Sequence, residues 1–175
     1  ELNRANAHRD GAEQTMRMMS LVALAVFVFD QVSKLVVVHF MDLRTVGAID
    51  VLPPFLNFRM AWNEGINFGI PLANRWALIA LALAICVWIV VWMMRENTGR
   101  WAQISAGLVL GGAIGNVIDR VVYGAVADFL NMSCCGFENP YSFNVADISI
   151  FVGAVGLIFL TGGTKQASDS PQSSE

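Results

Sequence analysis

Charge is scarce in this sequence. Of 175 residues only 14% are charged, 11 Lys+Arg against 14 Asp+Glu, where soluble domains carry roughly a quarter. So few charges would cover a soluble domain of this size only thinly. Cysteine is scarce and odd in number, three in all, which excludes a disulfide framework and a paired CxxC metal site. Histidine occurs twice, His8 and His39, with no HExxH zinc motif. Net charge is -3 and no basic stripe exists, so nucleic acid is not an expected partner. What is abundant is apolar: 55% of residues, with mean hydropathy +0.55. That excludes disorder over most of the chain and points to a small polytopic membrane protein.

Residues 1–17 read as a polar, flexible, cytoplasmic tail, and 164–175 as a Ser-rich disordered cytoplasmic tail. Between them, 18–163 read as one all-α membrane domain of four transmembrane helices. The spans run over about 19–38, 75–94, 102–123 and 145–162, each near the roughly 20 apolar residues a crossing needs. The first is too long and too interrupted, by Asp30 and Lys34, for a cleaved signal peptide. Arg4, Arg9, Arg17, Arg95, Arg100 and Lys165 mark one side, while 124–144 has no Lys or Arg. The positive-inside bias then places both termini in the cytoplasm and loops 39–74 and 124–144 outside. In the first outer loop, Val51–Met60 has a Pro-Pro pair and then partial alternation, which predicts a short strand or small sheet.

The informative residues are the charges inside or beside apolar runs, where a charge is expensive. In span one, Asp30 and Lys34 are spaced i, i+4 with the acid on the amino side, the favourable order for an ion pair. In span three, Asn116, Asp119 and Arg120 share one helix face, and Gly107, Gly111, Gly112 and Gly115 allow close helix approach. The plain reading of that cluster is a polar lock between helices. Asp128 lies eight residues after Arg120 with apolar flanks. Asp147 opens span four, where an acid is also an ordinary helix N-terminal feature. Both stand at the outer edge of the apolar layer. Two carboxylates sharing a site cannot both ionise easily, so one anion can activate water while the neutral acid polarises a carbonyl. Spacing alone leaves that pairing open. Cys86 reads as helix packing, and no nucleophile pattern surrounds Cys134-Cys135.

With these residues laid out, the sequence resembles the lipoprotein signal peptidases, the signal peptidase II family. The matching segments are FDQVSK at 29–34, WNEGINFG at 62–69, GNVIDR at 115–120, VADFL at 126–130 and FNVAD at 143–147. The resemblance implies an aspartic endopeptidase of the bacterial inner membrane that needs no metal or cofactor. It implies a lipid-modified prolipoprotein as substrate, cleaved before the lipidated Cys, and globomycin-type inhibitors as ligands. The catalytic pair matches Asp128 and Asp147. Asn63 and Arg120 match substrate-holding residues, Asn144 an orienter of Asp147, and Asn116, Asp119, Asp30 and Lys34 supporting groups. Asp119 would lie about two turns deeper than Asp128 if helix three continued. The sequence departs from the family in Ile66-Asn67, where relatives carry two small residues, and in the Cys134-Cys135-Gly136 insert.

The expected site is a small wet cavity at the outer, periplasmic interface, lined by the two aspartates and covered by the apolar 51–70 loop. The rival reading is a transport or channel protein that uses the intramembrane charges as an ion path. A third is a noncatalytic scaffold built on the Gly-rich span. Against the path, span two offers no polar residue between Trp76 and Met94.

Overall fold

A computed structural model describes residues 2–65, 74–96 and 98–161. Its long elements are helices: α1 over Leu2–Lys34, α3 over Arg75–Arg95, α4 over Arg100–Val122 and α5 over Val145–Thr161. Helix α1 continues as a π-helix, Leu35–Phe40, which leads to a short helix α2, Leu43–Val46. Three strands complete the described residues, β1 over Ala48–Leu52, β2 over Leu56–Asn63 and β3 over Val126–Asn131. Among the described residues, three helical stretches are long and apolar enough to cross a membrane, Glu13–Phe40, Arg75–Arg95 and Arg100–Val122, and Val145–Leu160 is a shorter apolar helix. The carboxyl-terminal segment 164–175 and the Ile66-Asn67 departure lie outside the described residues.

Two expectations change. The polar amino-terminal segment is helical from Leu2 and continuous with the first apolar stretch. Helix α4 stops at Val122, and Gly124 turns the chain at φ +82°. The next element is a strand rather than further helix. Asp119 is therefore not two turns deeper than Asp128: its Oδ2 accepts from the Ala127 backbone N–H at 3.2 Å.

Helix α4 is the centre of the bundle, buried over most of its length between α1 and α5. Its glycines set the spacing. A Cβ on Gly111 would lie 2.5 Å from the Ala23 carbonyl oxygen of α1, and one on Gly112 would lie 2.5 Å from the Ala146 carbonyl oxygen of α5. Backbones this close need a residue with no side chain. In an open helix, Gly→Ala gains about 1 kcal/mol of propensity. Here the sign is expected to reverse. Gly112→Ala should destabilise by about 1–3 kcal/mol through overpacking, read as a lower thermal midpoint in detergent. An unchanged or raised midpoint would mean that α4 and α5 can separate freely.

The apolar core between the helices is built on Met19, Ile89, Met93, Ala106, Leu110 and Leu157. A second cluster, Val37, Val38, Leu43, Ala127 and Phe129, joins the end of α1 to the sheet, with Phe58 edge-on to Phe129 at 5.8 Å. The sheet is antiparallel in the order β1-β2-β3. The strand expected within Val51–Met60 is present as the β1–β2 hairpin, with Pro53-Pro54 in its turn. The third strand has no counterpart in that expectation. Its residues Ala127 and Phe129 pack toward α1, so alternation aims Asp128 at the opposite face.

Candidate active site

Asp147 stands in the first turn of α5 and Asn144 immediately precedes that helix. The Asn144 Oδ1 accepts from the Asp147 N–H at 2.9 Å, and the Asp147 Oδ2 accepts from the Asn144 N–H at 3.2 Å. This is a reciprocal capping box. The structural reading of Asp147 is therefore correct as far as it goes. Its second oxygen, Oδ1, accepts from Asn116 Nδ2 of α4 at 2.9 Å.

Asp128 reaches the same place from β3. The register opposes Ala61 to Asp128, so Asn63 sits diagonally across on the same face. Ala61 leaves room, and Asn63 Nδ2 donates to Asp128 Oδ2 at 3.1 Å. Asp128 Oδ1 accepts from Asn144 Nδ2 at 2.6 Å. One asparagine thus touches both carboxylates. Asp128 is 2% exposed, while Asp147 is half-buried. Burial, and next the negative charge of Asp147, push the Asp128 carboxyl up to about 6, against the pull of the Asn63 and Asn144 hydrogen bonds.

Behind the pair lies a second polar layer. Lys34 Nζ is 2.7 Å from Asp30 Oδ2 and 2.7 Å from Asp119 Oδ2, and all three are buried. Lys34 also donates to Asn116 Oδ1 at 3.5 Å, as does Asn144 Nδ2 at 3.2 Å. Two donors on one Asn116 atom fix that atom as the oxygen. Its NH2 group is then the one that faces Asp147. Asp30 Oδ1 accepts from the Ala146 N–H at 2.9 Å. Arg120 donates through Nη1 to the Asn116 carbonyl at 3.3 Å and faces Asp147 and Asp128 electrostatically. Its buried Nε has no partner among the described residues.

All nine residues singled out in the sequence are connected here, and Asn116 and Asp119 meet on Lys34 from their shared helix. Gln31 escaped the sequence reading. Its Nε2 donates to Asp30 at 3.2 Å and Asp119 at 3.1 Å. The signal was available, because Gln31 is three residues before Lys34 on the face of an intramembrane ion pair. A cavity of about 230 Å³ reaches Lys34 and Asp119 past Gln31, His39, Trp62 and Tyr123. It runs along the Ala127 face of β3, behind the aspartates. Among the described residues, no group of three or more His, Cys, Asp or Glu is placed to hold a metal ion. Chemically, the arrangement offers a buried acid and a more exposed carboxylate on one asparagine, with the Arg120 guanidinium beside them.

The family model for signal peptidase (SPase) II matches residues 22–161. A lipoprotein signal peptidase of Rhodopseudomonas palustris is 40% identical over 152 residues, covering 82% of this chain and 91% of that protein. One from Methylorubrum extorquens is 40% identical over 142 residues, covering 79% and 81%. A bacterial membrane enzyme solved by the in meso method at 1.9 Å superposes with a TM-score of 0.72 at 28% identity, over 87% of this chain and 94% of that one. A second, at 2.3 Å, gives 0.70 at 27% identity, over 90% and 94%. The chain belongs to the signal peptidase II family and is a multi-pass bacterial membrane protease.

Proposed function

We propose that this protein is an aspartic endopeptidase that removes the signal peptide from diacylglyceryl-modified prolipoproteins, cutting just before the lipid-bearing Cys. Asp128 and Asp147 are its catalytic pair. The observation that carries this reading is the single Asn144 side chain and cap that hold two carboxylates from different elements together. Asp147, whose oxygens accept from Asn116 and the Asn144 N–H, takes a proton from the attacking water. Asp128, held high by burial and by its neighbour's charge, carries the pair's proton and donates it to the scissile carbonyl. The roles reverse as the amine leaves. Asn63 and the Arg120 guanidinium position the substrate backbone.

Helix α5, 17 residues long, is the fourth span. Four spans place both termini on one side. Arg17, Arg95 and Arg100 stand on that side, while 124–144 lacks Lys and Arg, so that side is the cytoplasm. The site then opens at the outer face of the inner membrane, where the lipid on the substrate Cys anchors the scissile bond. Globomycin-type inhibitors are expected to block it. The purified protein should be incubated with one prolipoprotein segment in lipidated and unlipidated form, and the products mapped by mass. Only the lipidated form should be cut, on the amino side of its modified Cys. Cleavage elsewhere, or irrespective of the lipid, refutes the assignment.

The acid role has a signature in pH. As pH rises through about 6, Asp128 loses its proton and kcat/KM should fall. The Asn63 hydrogen bond lowers the Asp128 value, so its removal raises it. In Asn63→Ala the alkaline limb of the kcat/KM profile is expected to move to higher pH. A limb that stays put or moves down rules out Asp128 as the proton donor.

A further inference from the structure

The connection from β3 to α5 carries two cysteines that the proteolytic reading does not use. The Phe137 N–H donates to the Cys134 carbonyl at 2.9 Å, and these residues form an isolated β-bridge. Between them Cys135 lies at φ 59° and Gly136 at φ 82°. Two successive left-handed residues make a type I′ turn. Glycine fits its second position, but Cys occupies the first, where Gly, Asn or Asp is usual. A non-Gly residue held there invites a functional reading. Both thiols are exposed, and a hydrogen bond between them pushes the Cys134 thiol up. Both therefore face solvent from consecutive positions of one tight turn. Cys86, by contrast, is buried in α3.

A direct disulfide fits this pair badly, because the peptide between the two residues is trans and fixes the Cα atoms about 3.8 Å apart, below the usual disulfide range of about 4.4–6.8 Å. A tetrahedral zinc site fits badly too. It needs four ligands, and no third His, Cys, Asp or Glu joins the pair among the described residues. A single soft atom bound by two sulfurs fits well. Two sulfur–metal bonds of about 2.3 Å each bridge up to about 4.6 Å, within reach of side chains whose Cα atoms stand about 3.8 Å apart. Soft centres are those that thiolates select.

We propose that Cys134 and Cys135 form a binding site for a thiophilic centre that is satisfied by two sulfurs, of the trivalent-arsenic class. The probe is phenylarsine oxide. Its arsenic forms one bond to each sulfur and loses its oxygen, which leaves as water with the two thiol protons. No oxidation state changes, so no further reactant is needed. Full-length protein, reduced with a phosphine and freed of it, is titrated with the probe and monitored by intact mass and by alkylation of the remaining thiols. One adduct per chain is expected, with Cys134 and Cys135 protected and Cys86 not involved. A dithiol should remove it and excess monothiol should not. Cys134→Ser and Cys135→Ser should each lose the monothiol-resistant adduct while still cleaving substrate, which shows that they remain folded. An adduct that monothiol displaces, or that survives either substitution, overturns the proposal. So does reduced protein that takes up no probe.

Discussion

Asp128→Asn and Asp147→Asn are each expected to abolish cleavage, with loss of at least the roughly 10²–10⁴-fold that a positioned acid or base contributes. Amide and carboxylate have nearly the same shape, so the change removes the proton chemistry and leaves the packing. It does not leave every hydrogen bond. Both oxygens of Asp147 face donors, Asn116 Nδ2 and the Asn144 N–H, and both oxygens of Asp128 face Nδ2 groups of Asn63 and Asn144. Whichever way the new amide turns, one NH2 meets a donor, at a cost of about 1–3 kcal/mol. The cost should be greater at Asp128, which is 2% exposed, than at half-buried Asp147, where water can step in. Thermal unfolding in detergent should therefore show two folded but somewhat weakened proteins, and the lipidated-substrate assay should show two inactive ones. Full activity in either variant would remove that carboxylate from the mechanism.

Scarcity of charge made much of this site readable before any fold was known. Asp30 and Lys34 announce their contact by i, i+4 spacing, and it is present at 2.7 Å. What the spacing could not reveal is the third member, Asp119, also 2.7 Å from Lys34, because that contact joins two helices. Strand β3 stayed hidden for a physical reason. A strand buried on both faces has no polar alternation to read, and Val126–Phe129 is buried at every position. Its neighbour β2 borders solvent and did alternate. The pairing of Asp128 with Asn63 depends on the opposition of Ala61 to Asp128 and on the bulge between Phe58 and Ala61. Nothing local to either segment specifies that register. The helical amino-terminal segment was missed because polarity was taken for flexibility, although α1 runs unbroken from it.

Lys34→Met is expected to be among the most destabilising single changes in the protein, by about 3–5 kcal/mol, because it leaves two buried carboxylates without a counter-charge. Asp30 and Asp119 are 0% and 1% exposed, so solvent cannot replace the ammonium. The consequence reaches the catalytic pair through the backbone. Asp30 accepts from the Ala146 N–H and Asp119 from the Ala127 N–H. Each of those alanines immediately precedes a proposed catalytic aspartate. One lysine therefore holds two acids, and each acid holds the residue before Asp147 or Asp128. Lys34 also bears on the Asn116 oxygen, which turns that amide toward Asp147. Loss of Lys34 should lower both the thermal midpoint and the cleavage rate, without touching any group that meets substrate. Charge, rather than shape, is the cause to be tested. The triple variant Lys34→Met, Asp30→Asn, Asp119→Asn removes all three charges and keeps the volumes close. Replacing a buried ionic triad by neutral groups can be neutral or even stabilising, so the triple variant should regain much of the lost midpoint. It should not regain full activity. Each new amide has one accepting oxygen where the carboxylate had two. The Ala146 and Ala127 N–H groups must then compete with Gln31 Nε2 for that oxygen, and the alignment of the residues before Asp147 and Asp128 loosens. A triple variant as unstable as Lys34→Met alone would show that Lys34 acts through packing, and the ion triad would lose its place as the element that sets the two aspartates.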